Sequence, residues 1–347
     1  MRGPILIILL ILLSVLFNFL IVKYKNYFFK LYPSYNPTIQ KTHEGYSPPL
    51  GGILIFLFSY TAIYLISPQS FLLNPYIFIP SLAIILVGLI EDLFGKTPPI
   101  IRLSTIFISS LFFCIHTNNL PNLEIYLIGD LINNNSFLKI LFFSICITGI
   151  SNGLNILDGM NGLSGFTCIS ILISILLIFA GTNLSGSLND IYILLIFIII
   201  FIIFNFPYGK IFLGDAGAYW LGWVLSVIII EIYSNNEINT WGAAIILIYP
   251  GMEVITSTVR KIFNKKNPFF PDPNHIHLKL YSLIKGEDIN KIHYNYKTTI
   301  YLIPIWFSSV IFTYLSQKMD FVSDLFLFAL SALVYLIFFI LVPKSKS

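Results

Sequence analysis

Eleven apolar runs, near residues 4–22, 50–67, 75–90, 101–117, 136–151, 165–182, 189–206, 216–233, 241–258, 299–316 and 323–342, leave almost nothing from which a water-soluble core could be built. About 20 apolar residues cross the hydrocarbon layer as a helix, and somewhat shorter runs cross with local adjustment. The expected fold is therefore all-α: a polytopic membrane helix bundle of about 11 transmembrane helices, forming one domain over residues 1–347. Charged residues make up 10% of the chain, far below the roughly 25% of soluble domains, so no separate soluble domain is expected. The fourth and fifth runs are the least regular, with Asn, Pro and acidic residues around them. No small-residue cleavage site follows the first run, and Lys23, Lys25 and Lys30 come next, which favours an uncleaved anchor over a signal peptide.

The basic residues set a direction. With the N-terminus outside, inward-facing loops hold Lys23, Lys25, Lys30 and Lys41, then Lys96 and Arg102, then Lys210, then the eight from Arg260 to Lys297, and finally Lys344 and Lys346. Only Arg2, Lys139 and Lys318 of the 20 fall on the other side. The positive-inside rule thus predicts a periplasmic N-terminus and a cytoplasmic C-terminus. The same distribution accounts for the net charge of +4 without a nucleic-acid partner. Cys114, Cys146 and Cys168 lie in apolar segments, which argues against a disulfide framework.

Between the fifth and sixth runs the chain reads NGLNILDGMNGLSG, Asn152 to Gly165. Asn152, Asn155, Asp158 and Asn161 recur there every three residues among glycines. Amides and carboxylates at a membrane boundary are costly unless paired, and glycines let backbone or ligand approach closely. On an α-helix the three-residue step turns each group by about 60°, an arc suited to lining a pocket. Four other polar stretches share the inward side. Gln40–Gly52 carries Lys41 and His43; GLIEDLFGK carries Glu91 and Asp92; Phe212–Gly222 sets Asp215 between Gly214 and Gly217; Pro268–Leu280 holds Asp272, His275 and His277. Clustered carboxylates repel unless a cation lies between them. Asp, Glu and Asn oxygens suit Mg²⁺, which shares its shell with phosphate oxygens, while Lys and His hold phosphates and move protons. The residues alone point to a cytoplasm-facing site for a phosphorylated substrate handled with Mg²⁺.

Each stretch also has a plainer use. Glu91 and Asp92 could be a charged collar, the Asn152–Asn161 set a polar packing seam, Asp215 a helix N-cap, and His275 with His277 an exposed loop pair that lacks cysteine partners for zinc. Trp220, Trp223, Trp241 and Trp306, near the ends of runs, read as interfacial anchors. An ion-coupled transporter would place carboxylates near the bilayer midplane in repeated halves with broken helices. Here the acids gather at one face, and that coincidence argues for a site.

In order and spacing these motifs resemble the polyprenyl-phosphate N-acetylhexosaminyl-1-phosphate transferases, from about Lys41 to Leu280. The N-x-x-N-x-x-D-G block followed by G-D-x-G is the most specific part. The resemblance implies an integral enzyme of the bacterial inner membrane with a cytoplasmic active site. It would convert a UDP-activated amino sugar and undecaprenyl phosphate into the lipid-diphosphate-sugar and UMP, with Mg²⁺ required and Mn²⁺ as a substitute. A homodimer is compatible with it. By resemblance Asp215 and Asn155 would be metal residues, and Glu91, Asp92 and Asp158 the catalytic carboxylates. Lys41, His43, Asn152, Asn161, His275 and His277 would contact substrate. The chain departs from the family pattern at three places: Glu91 stands where the acidic pair usually starts with Asp, Asn161 where a second Asp is common, and Leu278 where a further His often follows. These departures lean toward initiation of O-antigen or another envelope glycan, with the phospho-N-acetylmuramoyl-pentapeptide transferase of peptidoglycan synthesis as the alternative.

Overall fold

The structure, a computed structural model, describes residues 2–27, 47–117, 119–180, 188–265, 272–286, 294–318 and 321–343. It is helical, with no strand among the described residues. In chain order the helices are α1 (Arg2–Lys23), α2 (Gly51–Ile66), α3 (Pro75–Phe94), α4 (Pro99–His116), the short α5 (Ile128–Asn133), α6 (Ser136–Leu157), α7 (Leu163–Phe179) and α8 (Leu188–Asn205). They continue with α9 (Gly214–Ser234), α10 (Thr240–Ile246), α11 (Ile248–Phe263), α12 (Ile276–Lys285), α13 (Asn295–Tyr301), α14 (Ile303–Trp306), α15 (Ser308–Ser316) and α16 (Phe321–Leu341).

Seven helices are long and apolar enough to cross a membrane, α4 and α6 among them. Two helix pairs pass the same test together but are bent, by 87° between α10 and α11 and by 52° between α13 and the α14–α15 segment, which brings the total among the described residues to nine if each pair is one span. Both bends stand just ahead of a proline, Pro250 and Pro304. Proline has no N–H to give the carbonyl four residues back and its ring crowds that carbonyl, so a helix breaks or kinks there. The two remaining apolar runs form α2 and α7, of 16 and 17 residues. At 1.5 Å per residue they reach roughly 25 Å, near the lower end of what crosses a ~30 Å hydrocarbon layer with local adjustment. Among the described residues seven helices thus qualify as spans by length and composition, or up to nine if each bent pair is one span, and α2 and α7 are the two further apolar helices that the eleven runs include.

The centre of the bundle is α9. In its spanning window 94% of residues are buried, against 22% for α1 and α16 at the periphery. Small residues let its neighbours reach its backbone, the usual way helices associate where lipid removes the hydrophobic drive. A Cβ built on Gly52 of α2 would lie 2.0 Å from the Gly217 Cα, and one on Gly88 of α3 would lie 2.3 Å from the Ala216 Cα. One on Gly222 would lie 2.6 Å from the Ser151 Cα of α6. Trp220 and Trp223 are wholly buried in this core and are not interfacial anchors. Trp220 packs edge-on against Phe56, and the Trp223 indole N–H donates to Ser110 Oγ at 3.2 Å. Helical spacing puts both rings on the inner face of a helix that lipid never reaches.

Candidate active site

The first turn of α9 is a helix start without a cap of its own. Gly214 opens it at φ 79°, a backbone conformation that favours glycine, and the preceding Leu213 has no side-chain oxygen to offer. The amides exposed there are taken by carboxylates from two other helices. Asp92, in the last turn of α3, accepts from the Asp215 amide at 3.0 Å and the Ala216 amide at 3.1 Å. Asp158, the C-cap residue of α6, accepts from the Gly214 amide and from Ser164 Oγ. Gly88, one turn before Asp92, makes this possible by bringing α3 against Ala216. Negative charge at a helix N-terminus is favourable, which offsets part of the repulsion between acids so close together. Burial, reinforced by the charge of Asp215, pushes the Asp158 carboxyl up to about 7 against the pull of its two hydrogen bonds.

Asp215 itself belongs to this turn, and its partner comes from a tight break in the chain. Gly95, left-handed at φ 60°, ends α3, and Pro98–Pro99 start α4 with φ already set for a helix. The reversal carries Arg102 back over the end of α3. Its guanidinium donates to Asp215 Oδ2 and lies 3.5 Å from Glu91 Oε1. Glu91 Oε2 accepts the Thr97 amide at 2.8 Å. These three side chains are 16–26% exposed, so this part of the cluster opens toward solvent.

Asp92, Asp158, Asp215 and Glu91 are thus brought to one end of the bundle, with Arg102 among them. The donor set is hard oxygen, which suits Mg²⁺. No group of three His, Cys, Asp or Glu among the described residues could hold a metal ion. Mg²⁺ uses one or two carboxylates and completes its shell with phosphate oxygens and water, so these acids fit an ion shared with substrate and not a closed protein cage.

The polar set that recurs every three residues is divided by the fold. Asn152 and Asn155 are half-buried on α6, and the Asn155 carbonyl accepts the Asp158 amide at 3.2 Å. The helix stops at Leu157, so Asn161 lies in the following turn and not on the expected arc. Its side chain is buried, and Nδ2 donates to the Pro207 carbonyl at 2.7 Å. Asn205 completes the pin, accepting the Gly162 amide at 2.6 Å and donating to the Ile211 carbonyl at 2.8 Å. A carboxylate has no proton to give Pro207, which is a physical reason for amide at position 161. Lys41 and His43 lie outside the described residues.

His275 and His277 are not an exposed loop pair: their side chains are 3% and 1% exposed. Both face Glu253 of α11, which is completely buried. Burial lowers the His277 pKa to about 4 against the attraction of Glu253, so its ring is neutral near pH 7. Nearby, Asp272 pairs with Arg260 and accepts from Ser257 Oγ at 3.1 Å. Sequence reasoning passed over Arg102, Ser164 and Glu253. In the sequence Arg102 marks topology alone, and Ser164 resembles the other small residues around it. Glu253 carried a signal: it is the lone acid in an apolar run, where a charge needs a partner.

Residues 74–233, which hold the whole of the acidic cluster, match the profile of the family described as Glycosyl transferase family 4. An undecaprenyl-phosphate alpha-N-acetylglucosaminyl 1-phosphate transferase of Thermotoga maritima is 31% identical over 242 residues, 70% of each chain. A probable undecaprenyl-phosphate N-acetylglucosaminyl 1-phosphate transferase of Bacillus subtilis is 26% identical over 70% of this chain and 68% of its own. A phospho-N-acetylmuramoyl-pentapeptide-transferase of Petrotoga mobilis is 28% identical over 70% of this chain and 78% of its own. The chain therefore belongs to glycosyl transferase family 4, the polyprenyl-phosphate N-acetylhexosaminyl-1-phosphate transferases.

Proposed function

We propose that the protein is a single-domain, inner-membrane enzyme that moves an N-acetylated amino-sugar 1-phosphate from a UDP-sugar to undecaprenyl phosphate, on the cytoplasmic face. The observation that supports this most is the convergence of Asp92, Asp158 and Asp215 on the first turn of α9, beside Arg102. The reaction joins two polyanions. An oxygen of the lipid phosphate attacks the β-phosphorus of the UDP-sugar, a new P–O bond forms, and the bond to the α-phosphate oxygen breaks to release UMP. Preorganised charge and dipoles aimed at the reacting phosphates lower that barrier.

Within this proposal Asp215 and Asn155 hold Mg²⁺, or Mn²⁺ in its place, and the bound ion supplies Lewis-acid stabilisation of phosphate charge. Asp92, with both oxygens on helix amides, fixes the turn that presents Asp215. Asp158 sits beside that turn, and Glu91 shares Arg102 with Asp215. Asn152 and the histidine pair serve substrate groups, together with Lys41 and His43; Asn161 supports the pocket wall through Pro207.

We place the enzyme at the first step of O-antigen or another envelope glycan. The similarity to N-acetylglucosaminyl 1-phosphate transferases favours this. The similarity to pentapeptide transferases supports peptidoglycan synthesis as the second reading. UMP release measured with UDP-GlcNAc, other UDP-amino sugars and UDP-MurNAc-pentapeptide separates them. Turnover with the pentapeptide substrate alone would overturn the glycan assignment, and turnover with none would overturn both.

A further inference from the structure

The group around Glu253 is separate from the acidic cluster and has a geometry of its own. Glu253 lies in α11 with no exposed surface. Its Oε2 is 2.8 Å from His275 Nδ1, its Oε1 is 4.0 Å from His277 Nδ1, and it accepts the Ile276 amide that opens α12. The two imidazoles are stacked, 10° from parallel with centroids 5.8 Å apart. The hydroxyls of Tyr249, on the same helix, and Tyr335, on α16, border the carboxylate, while Asp272 beside His275 is engaged by Arg260. Thr256 Oγ1 and Tyr335 Oη are 3.2 Å apart and close that side.

A charge removed this completely from water is destabilising unless a partner and further hydrogen bonds satisfy it. A buried carboxylate against one ring nitrogen of a histidine also sets where the proton sits. The facing nitrogen carries it, and the other is left in a fixed direction with fixed chemistry. We propose that Glu253 is a positioning residue of the transferase: from α11 it holds the proton of His275 on Nδ1 and keeps both histidine rings parallel, so that their Nε2 atoms meet the substrate phosphates or sugar in one arrangement. This rests on the proposal that His275 and His277 contact substrate. Glu253 acts on the reaction only through those rings.

The test uses the full-length protein in nanodiscs, labelled with ¹⁵N-histidine, with the His275 signals assigned from H275Q. The wild-type protein should show His275 as the Nδ1-protonated tautomer or the imidazolium, with no free Nδ1, and E253Q should show a mixture of tautomers. In UMP-release assays, E253A should lose about 10- to 100-fold in kcat, the usual range for partners that orient a functional histidine. E253Q keeps an acceptor oxygen and should recover part of that loss. The E253A/H275A double variant should be no more than about twofold slower than H275A, because residues that act through one another are not additive. An unchanged His275 signature in E253Q, or losses that multiply in the double variant, would overturn the proposal. Wild-type turnover in H275A alongside a changed signature in E253Q would overturn the substrate role of the histidines instead.

Discussion

At the residue scale, three side chains bear different kinds of demand. Asp215 stands in the proposed metal role, and Asp215→Asn should reduce UMP release by about 10²-fold or more, as removal of a charge-stabilising group does. Asn161 carries a mechanical demand. In Asn161→Asp a buried carboxylate would face the Pro207 carbonyl with no proton to share, so thermal unfolding should show a loss of about 1–3 kcal/mol with no gain in turnover. A variant as stable as wild type would remove the pin. His277 ties stability to pH. Its folded pKa of about 4 lies below the ordinary 6.5, so between those values the unfolded chain binds more protons than the folded one. Its contribution is intact above pH 6.5 and is lost as pH falls through that window, by about 1 kcal/mol per pH unit. Melting curves from pH 7 to 5 should show this decline, and His277→Gln should flatten it.

At the scale of elements, the same device occurs twice. Helices α9 and α12 both begin without a side-chain cap of their own, and each is completed by a carboxylate from a neighbouring helix, the half-buried Asp92 from α3 and the buried Glu253 from α11. Such caps tie the chemistry to the packing, because the acid reaches the amides only if the helices touch. Gly88→Ala tests this. Its Cβ would fall 2.3 Å from the Ala216 Cα, and overpacking of that kind costs about 1–3 kcal/mol. Melting should report that loss, and turnover should drop with it although no acid is changed. Full turnover in Gly88→Ala would mean that the approach of α3 to α9 does not set the site. Loop motifs placed the acids at one end of the bundle, yet they could not show which acid caps which helix, since that depends on contacts between helices distant in sequence. Asp215 illustrates the gap: the plainer alternative made it the N-cap, whereas Asp92 caps the helix and Asp215 supplies one of the capped amides.

At the scale of the molecule, the apolar runs are legible in the sequence as helices, while the breaks inside them are not. Hydropathy marks where a helix is greasy but not where Pro250 or Pro304 bends it. The tryptophans show the same limit, since closeness to the end of a run does not distinguish lipid from core. The direction of insertion proposed from the basic residues has its own check. With the three native cysteines replaced, Lys210→Cys should react with an impermeant thiol reagent from the cytoplasmic side only, and Asn236→Cys from the opposite side only. The reverse pattern would turn the site outward, away from cytoplasmic nucleotide sugars.

In the proposed function the acids around the first turn of α9 run a sugar-1-phosphate transfer to a lipid phosphate. The most direct test incubates purified protein, undecaprenyl phosphate and radiolabelled UDP-GlcNAc with Mg²⁺, and follows the lipid-linked product together with UMP, for wild type and Asp215→Asn. Wild type should give equal amounts of the two products, and the variant should lose about 10²-fold or more. Undiminished lipid-linked product from Asp215→Asn would contradict the proposed function.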